Sequence, residues 1–306
     1  MKLSRTEPPL PPNRGKDFWS VVDCFNEQRR SVACFIHRHY EIGMHGHEFI
    51  EVNVVLRGRG RHDLEETSFA TAPGDVFVIP PRARHGYAQQ RPLDVYHLLL
   101  HPQFIRAHQT ELRTLPGYLL FFSVEPFYRA ETRFRYGLKL APGVHRRVVG
   151  LLDLIRQEVA EEGAQQDQVV EPLTLGFIAL LCRAYAAQHA AAREDRGFHP
   201  NTRAMRAVIE LVAARYGEKL TLDDLACAAR IQKNYFCRIF RRITGVTPMD
   251  YVTQYRLNVA RRLLRESRLT ITQIAYETGF YDSAHFSRQF ARAFGTPPSR
   301  LRLASE

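Results

Sequence analysis

The chain has 306 residues, which is enough for two domains that each bury a hydrophobic core. Its composition, 45% hydrophobic and 25% charged, is that of a globular protein and excludes a disordered or fibrous chain. The formal net charge of +11 favours a polyanionic partner and argues against a basic one.

The excess of positive charge lies in the C-terminal third. Residues 197–306 contain 18 Lys and Arg against 9 Asp and Glu, a net charge of +9, whereas the rest of the chain has 25 against 23. Such a concentration is typical of a surface that binds double-stranded DNA. The alternative is an ordinary solvated basic face.

The cysteines and the N-terminal residues predict a cytoplasmic protein. The five cysteines are odd in number and form no C-x-x-C pair, so reduced thiols are expected rather than disulfides or a zinc site. They are Cys24, Cys34, Cys182, Cys227 and Cys237. Residues 1–17 lack the apolar segment of a signal peptide. The longest apolar stretch, residues 173–182, is too short to span a bilayer, so no membrane partner is expected.

In chain order, the first predicted elements are an arm and a β domain. Residues 1–17 are proline-rich and are predicted to form an extended arm. Residues 18–140 contain short runs rich in Val, Ile, Phe and Tyr. These runs are predicted to be interrupted at Gly58, Gly60, Gly74 and Pro80-Pro81. The pattern predicts an all-β sandwich or barrel.

The hydrophobic period changes from that of a strand to that of a helix near residue 144. Apolar residues between Val144 and Val159 share one helical stripe, and a second helix is predicted over about residues 169–192. Residues 141–196 are therefore predicted to be a helical connector, which could pack on the β domain or pair between two subunits. Residues 191–201 are the predicted linker to the C-terminal domain.

The strongest feature of the sequence is an internal repeat of about 50 residues. The segment Tyr235-Phe-Cys-Arg-Ile-Phe-Arg-Arg-Ile-Thr-Gly-Val-Thr-Pro248 aligns with His285-Phe-Ser-Arg-Gln-Phe-Ala-Arg-Ala-Phe-Gly-Thr-Pro-Pro298. A capping-box pattern precedes each copy, at Thr221-Leu-Asp-Asp224 and at Thr270-Ile-Thr-Gln273. The glycine and the proline near the end of each copy are typical of a helix end. Each copy is thus predicted to be helix, short turn, helix and stop.

The repeat predicts two helix-turn-helix units, over residues 221–243 and 270–294, in an all-α DNA-binding domain over residues 197–306. The second helix of such a unit enters the major groove, where Arg can bond guanine and Asn can bond adenine. Ile231 and Phe280 are predicted to be buried in the two turns. The residues predicted to face the groove are Asn234, Cys237, Arg238 and Arg241 in the first copy and Ser283, Ala284, Ser287 and Arg288 in the second.

The C-terminal residues resemble the AraC family of bacterial transcription regulators. The resemblance is carried by residues 226–248, Ile274-Ala-Tyr-Glu-Thr-Gly-Phe280, His285-Phe-Ser-Arg288 and Phe294-Gly-Thr-Pro-Pro298. It implies base contacts from Asn234, Cys237, Arg238, Ser283, Ser287 and Arg288, among which Cys237 is an unusual residue type. The family also implies a homodimer that activates transcription and contacts RNA polymerase.

The β region resembles the cupin-type effector domain in the sugar-responsive branch of the same family. His45-Gly-His-Glu-Phe-Ile-Glu51, Pro73-Gly-Asp-Val-Phe-Val-Ile-Pro-Pro81 and His85-Gly-Tyr87 carry this second resemblance. It implies that a small molecule, a sugar or a sugar-like compound, is the effector.

A polar cluster is predicted inside the β domain. His45, His47, Glu51 and Asn53 are all odd-numbered and therefore share one face of a strand. One interpretation is a site for a divalent transition metal, formed by His45, His47, Glu51 and His85. A second is direct effector binding by the same four residues together with Asn53, His62 and Tyr87. A third is a hydrogen-bonded remnant of the fold.

Together these features predict an α+β chain with a cupin-like β-barrel over residues 18–140, middle helices and a C-terminal all-α domain. The predicted function is sequence-specific DNA binding in transcription regulation, without enzymatic activity. The rival prediction is a cupin metal-dependent oxygenase or isomerase with a DNA-binding appendage. In the regulator, an effector in the barrel would change how the arm and the middle helices hold the DNA-binding units.

Overall fold

The computed structural model describes residues 17–25, 30–39, 41–113, 115–127, 137–161, 166–191 and 200–303. All but the last residue of the predicted arm, and most of the predicted linker, lie outside these ranges. The chain forms two compact units. The β unit comprises Met1–Gln109 and Leu115–Phe198, and the helical unit comprises Thr110–Thr114 and His199–Glu306.

The β unit is built on one sheet. Its strands are β1 (Phe18–Trp19), β2 (Val32–His37), β3 (Ile42–His47), β4 (Ile50–Leu64), β5 (Thr67–Thr71), β6 (Asp75–Ile79), β7 (His85–Leu100) and β8 (Leu138–Lys139). The hydrogen-bonded order is β1-β3-β7-β4-β6-β8, with β2 also paired to β7 and β5 to β4.

The two long strands, β4 and β7, give the sheet its curvature. They pair antiparallel from Ile50 opposite Leu100 to Leu64 opposite His85, with register shifts between Val55 and Gly60. Such shifts bend a strand and increase its twist. The ends of β7 also pair with β2 and β3, so the sheet curls into a half-barrel. The predicted α+β class is confirmed.

The predicted interruption at Gly58 and Gly60 is wrong, because both glycines lie inside β4. Gly58 has a φ of 89°, and a Cβ there would lie 1.9 Å from the carbonyl oxygen of Pro92. Glycine is the residue that fits this backbone conformation and this close approach of the chain. The glycines therefore bend a continuous strand instead of ending it.

Helices α1 to α4 and a π-helical turn accompany the strands in the described part of the β unit. They are α1 (Val21–Phe25), α2 (Pro102–Leu112), the π-helical turn (Leu120–Val124), α3 (Pro142–Ala160) and α4 (Gln166–Ala191). The apolar stripe of α3 is buried at Val148, Leu152, Ile155 and Val159. The Tyr96 hydroxyl of β7 donates a hydrogen bond to Asp153 of α3, which ties this helix to the sheet.

Helix α4 contains a segment, Asp167–Gln188, that is long and apolar enough by composition to cross a membrane. The apolar run of residues 173–182, which was predicted to be too short for a bilayer, is only part of this segment. In the β unit, Phe177, Leu181 and Tyr185 of α4 are buried, and the Tyr185 ring stacks on Phe121 of the π-helical turn at 4.8 Å. A core helix of a folded domain has this pattern of burial.

The helical unit is α-helical throughout residues 200–303 apart from short turns. Its helices are α5 (Pro200–Arg215), α6 (Leu222–Ala229), α7 (Lys233–Thr244), α8 (Pro248–Glu266), α9 (Ile271–Glu277), α10 (Ser283–Phe294) and α11 (Pro298–Leu303). Helices α6 and α7 form the first copy of the repeat, and α9 and α10 form the second. Helix α8 joins the two copies.

Candidate functional site

The first helix-turn-helix unit begins with the predicted capping box. The Thr221 side chain accepts a hydrogen bond from the backbone of Asp224, whose side chain accepts one from the backbone of Thr221. Helix α6 ends at Arg230, which has a left-handed φ of 54°. The Gln232 side chain then caps α7 by accepting a hydrogen bond from the backbone N–H of Tyr235. The left-handed residue at the end of α6 and the Gln232 cap of α7 together fix a tight turn between the two helices.

The second unit repeats this design. Thr270 and Gln273 form a capping box at the start of α9. The Asp282 side chain caps α10 by accepting a hydrogen bond of 2.6 Å from the backbone N–H of His285. Phe280 in the turn is 5% exposed, as predicted, whereas its counterpart Ile231 is only half-buried. Both second helices end at glycines with left-handed φ, Gly245 and Gly295.

The cap of α10 gives a direct test of how this helix is held. Asp282→Ala should lower the free energy of unfolding of the helical unit by about 0.5–2 kcal/mol, because it leaves the N–H of His285 without its acceptor. Backbone hydrogen exchange in α10 would measure the change. Asp282→Asn keeps a capping oxygen and is expected to restore most of the loss. Equal losses in the two variants would contradict a capping role.

The side chains predicted to face DNA lie on the outer side of α7 and α10. Two phenylalanines spaced four residues apart are buried in each helix, Phe236 and Phe240 in α7 and Phe286 and Phe290 in α10. The opposite faces carry exposed Asn234, Arg238, Arg241, Ala284 and Arg288, and half-buried Cys237, Ser283 and Ser287. Amphipathic helices of this kind are held by their aromatic face and leave the polar face free for a partner.

Local contacts distinguish the residues on this outer face. The Arg238 guanidinium lies over the Tyr235 ring, 5.4 Å from its centroid. The Ser287 hydroxyl donates to the backbone oxygen of Ser283 at 2.8 Å, so it is partly engaged within its own helix. Lys233 forms an ion pair of 2.8 Å with Asp223 and thereby links α6 to α7.

The sequence analysis missed one exposed aromatic residue at this surface. Tyr281 lies directly before the capping residue of α10 and is 92% exposed. Tyrosine hydroxyls form hydrogen bonds with DNA phosphates, so Tyr281, beside a helix that carries an exposed arginine, is a candidate contact to the DNA backbone. Its position in the turn could have suggested this from the sequence.

In the β unit, the curled sheet brings the predicted polar residues together on one buried face. His45 of β3 lies opposite His85 of β7. Ring nitrogens of His45 and His85 and a carboxylate oxygen of Glu51 lie within 4.8 Å of one another. The exposed fraction of each of these three side chains is 2% or less.

His47, the fourth residue of the predicted metal site, contacts this group through the carboxylate of Glu51. Its Nε2 lies 3.1 Å from Oε2 of Glu51, and Nε2 of His85 lies 3.3 Å from the same oxygen. The ring centroids of His45 and His47 are 6.4 Å apart, so His47 lies at the edge of the cluster. Glu51 is therefore the centre of the arrangement.

A residue that was not predicted, His97, also contacts this carboxylate. Its Nδ1 lies 2.6 Å from Oε1 of Glu51. His97 is an even number of residues after His85 on β7, so the alternation of side chains along the strand could have placed it on the same face. His97 was not among the residues predicted from the sequence to belong to the cluster.

Burial and charge set the protonation of the cluster. Burial lowers the pKa of His45 and lowers the pKa of His85 to about 3, although Glu51 opposes both shifts. Burial raises the pKa of Glu51, but the attraction of His85 and the polar contacts to His47, His85 and His97 outweigh it and hold this pKa well below its usual range. Near neutral pH, Glu51 is therefore a buried carboxylate, and the rings of His45 and His85 are neutral.

The remaining predicted effector residues form a second group next to the first. The Asn53 amide donates a hydrogen bond of 3.0 Å to the Tyr87 hydroxyl, and the His62 ring stacks on Tyr87 at 4.4 Å. The His62 and His85 rings are 5.7 Å apart, which connects the two groups. A few converging polar groups among apolar side chains are typical of a small-molecule site.

Comparisons with known proteins identify a domain family for each of the two regions that carry these residues. Residues 30–166 match the AraC-like ligand binding domain family, and residues 225–304 match a helix-turn-helix domain family. The HTH-type transcriptional activator RhaR of Shigella dysenteriae is 28% identical over 258 residues, which cover 84% of this chain and 86% of that protein. RhaR of Escherichia coli matches with the same identity and coverage.

Two solved structures are also similar to this chain. A regulator from Chromobacterium violaceum with an AraC-type DNA-binding domain is 29% identical, covers 33% of this chain and 91% of its own, and has a TM-score of 0.32. ToxT from Vibrio cholerae is 13% identical, covers 90% of this chain and 98% of its own, and has a TM-score of 0.32.

The relatives and the matched families are transcription regulators and not enzymes, which decides against a cupin oxygenase or isomerase. A ligand-binding domain followed by a DNA-binding helix-turn-helix domain accounts for most of the sequence. The chain belongs to the AraC family of DNA-binding transcription regulators.

Proposed function

We propose that this regulator activates carbohydrate-utilisation genes when a small sugar-like effector binds in the β unit. The observation that carries the proposal is the pair of capped helices, α7 and α10, whose arginine-bearing faces are exposed. The RhaR relatives are named transcriptional activators, which supports activation over repression.

Base recognition is assigned to the outer faces of α7 and α10. Arg238 and Arg288 are exposed on these faces and can form paired hydrogen bonds with guanine, and Asn234 can do so with adenine. Cys237, Arg241, Ser283, Ala284 and Ser287 complete the proposed surface. Arg242 and Arg292 are exposed on the same two helices and are assigned to phosphates.

Arg288→Ala tests the assignment of base contacts. The variant should lose about 1–3 kcal/mol of binding free energy to its operator and should relax the choice of base at one position. Binding to a panel of single-base operator variants would measure both effects. Arg268, which is exposed and lies outside α7 and α10, is the matched control: Arg268→Ala should leave base preference unchanged. A uniform loss over all sequences in Arg288→Ala would assign Arg288 to phosphate instead.

The effector is assigned to the buried polar face of the curled sheet. Asn53, His62 and Tyr87 supply hydrogen-bonding groups for the hydroxyls of a sugar, beside the cluster of His45, His47, Glu51 and His85. Among the described residues, the side-chain oxygen of Asn53 has no hydrogen-bond partner. A buried acceptor is costly unless it is paired, so a polar ligand suits this face. The predicted arm would close over the ligand, although most of it lies outside the described residues.

A DNA footprint with and without sugars tests the whole proposal. The full chain should protect two neighbouring major-groove segments about 10 bp apart upstream of its target genes. Addition of the right sugar should change the protection or the transcription that depends on it. Protection that no sugar changes would remove the sugar from the proposal but leave DNA binding intact.

The cellular location, the homodimer and the contact with RNA polymerase are proposed from membership of the family. We assign the chain to the cytoplasm, as a homodimer that pairs through the β unit or α3 and that contacts RNA polymerase at the promoter. Leu154, on the outer side of α3, is 41% exposed and is available for such pairing. No membrane partner is proposed.

A further inference from the structure

The helical unit contains a cleft of about 410 Å³ between α5 and α8, which we call the α5–α8 cleft. Its α5 side includes Tyr216, which directly follows that helix, and its α8 side follows one helical stripe. The side chains on that stripe are Tyr255, Asn258, Arg262 and Arg265, with Arg261 beside them. The volume of the cleft is in the range of small-molecule sites. None of these residues is among those assigned to DNA.

Asn258 supplies an unpaired acceptor in the wall of the cleft. This residue is 7% exposed, and its amide nitrogen donates a hydrogen bond of 2.9 Å to the backbone oxygen of Gln254. That bond identifies the nitrogen end of the amide, because a carbonyl oxygen can only accept. Among the residues that the structure describes, Oδ1 of Asn258 has no donor. A buried acceptor without a partner is unfavourable, so the cleft suits a compound with a hydrogen-bond donor such as a hydroxyl.

The arginines at the cleft determine the charge of that compound. Arg261 is already engaged by Glu111 of the same unit, in an ion pair of 3.1 Å. Arg262 lies 3.9 Å from Glu266, and this pair is weak because the two side chains are 64% and 68% exposed. Arg262 and Arg265 are therefore available at the rim of the cleft. Guanidinium groups bind phosphates and carboxylates through paired, charge-assisted hydrogen bonds, so the compound should be an anion.

The aromatic side of the cleft is fixed by contacts that reach the second helix-turn-helix unit. The Tyr216 and Tyr255 rings are 5.6 Å apart, and the backbone oxygen of Tyr216 accepts a hydrogen bond of 2.7 Å from Nε of Arg256. A Cβ at Gly279, in the turn between α9 and α10, would lie 2.7 Å from the same oxygen. The edge of the cleft thus packs directly against that turn.

We propose that the α5–α8 cleft is a second small-molecule site, which binds an anionic and hydroxylated compound such as a phosphorylated sugar or a sugar acid. Arg262 and Arg265 bind the phosphate or carboxylate group, and Oδ1 of Asn258 accepts a hydrogen bond from a hydroxyl. A phosphate of the DNA backbone has no hydroxyl to offer Asn258, so a small hydroxylated anion fits the cleft better than DNA does. The bound compound stabilises the contact between the end of α5 and the second helix-turn-helix unit.

Calorimetric titration of the full chain without DNA, at about 150 mM salt to screen unspecific attraction, tests the inference. Glucose 6-phosphate should bind about 10-fold more tightly than methyl phosphate, or glucuronate about 10-fold more tightly than acetate, because only the sugars carry hydroxyls for Asn258. Preference for glucose 6-phosphate assigns the anionic group to a phosphate, and preference for glucuronate assigns it to a carboxylate. Asn258→Leu should remove the preference.

The arginine variants separate this cleft from any other site that takes the same sugars. Arg262→Ala and Arg265→Ala should each weaken binding of the preferred sugar about 10-fold, since each loses a charge-assisted hydrogen bond. Arg203 is exposed on α5 of the same unit and gives the matched control: Arg203→Ala should bind like the unchanged chain. If Asn258→Leu fails to fold, hydrogen exchange decides, because the bound sugar should slow exchange of backbone amides at the end of α5 and in α8 of the unchanged chain.

Three results would overturn the inference. The first is that neither sugar binds more tightly than its plain anion. The second is an equal loss of affinity in Arg203→Ala and Arg262→Ala, which would make the cleft part of an ordinary basic surface. The third is protection from exchange that is confined to the β unit. The titrations contain no DNA, so a failure of the proposed function would leave their outcome unchanged.

Discussion

The affinity of the full chain for its operator should fall roughly 10³–10⁵-fold between 50 and 200 mM salt, because about 6–10 phosphates are expected to be neutralised. The charge behind this expectation is the net +9 of residues 197–306, where Lys and Arg number 18 and Asp and Glu number 9. Each neutralised phosphate releases a counterion, so the logarithm of the affinity falls linearly with the logarithm of the salt concentration. Fluorescence anisotropy of a labelled duplex over this range would measure the slope.

Single substitutions should show how much each helix-turn-helix unit contributes to this salt dependence. Arg242→Ala and Arg292→Ala, at the exposed phosphate candidates of α7 and α10, should each reduce the slope by about one. Arg146 is exposed on α3 of the β unit, so Arg146→Ala should leave the slope unchanged. A total loss of less than tenfold over this salt range, or equal changes in all three variants, would mean that the basic excess is an ordinary solvated face.

The helical unit was predictable because its signals are local. A capping box places a Thr and its partner three residues apart, and the Thr270–Gln273 pair has the predicted hydrogen bonds. The spacing of four between Phe286 and Phe290 fixes which face of α10 is buried. The half-burial of Ile231 was not predictable, since it depends on how neighbouring helices pack around the turn.

The cluster in the β unit was predictable only in part. The alternation of side chains placed Glu51 and Asn53 on one buried face, as the structure has them. The contact between His97 and Glu51 joins residues 46 apart in sequence, and it depends on the pairing of β4 with β7, which places His97 opposite Asn53. A bulge that bends a strand from within gives no periodic signal. The same bulge explains why Gly58 was predicted to end a strand that in fact continues.

Phe286→Ala should destabilise the second helix-turn-helix unit by about 3–5 kcal/mol, a loss that combines transfer free energy and a cavity. The Phe286 ring is fully buried, 5.2 Å from the Phe280 ring and 5.5 Å from the Phe290 ring. It packs in the core that joins α9 and α10 to α8, with Leu257, Ala260, Leu264, Ile274 and Ala275. A smaller side chain would leave a void that this ring of neighbours can fill only by moving α10.

Hydrogen exchange in the full chain gives the local measurement that this prediction needs, because a chain of two units does not unfold in one step. Backbone amides of α9 and α10 should exchange about 10²- to 5 × 10³-fold faster in Phe286→Ala, as their opening becomes less costly by the predicted amount. Tyr281 is the matched control, since it is an aromatic residue only five positions away that is 92% exposed. Tyr281→Ala should change the same rates by less than about threefold, because truncation of an exposed side chain alters stability by roughly 0.5 kcal/mol or less. Similar rates in the two variants would mean that the aromatic face of α10 does not hold this helix, and that its arginine-bearing side is not fixed for the major groove.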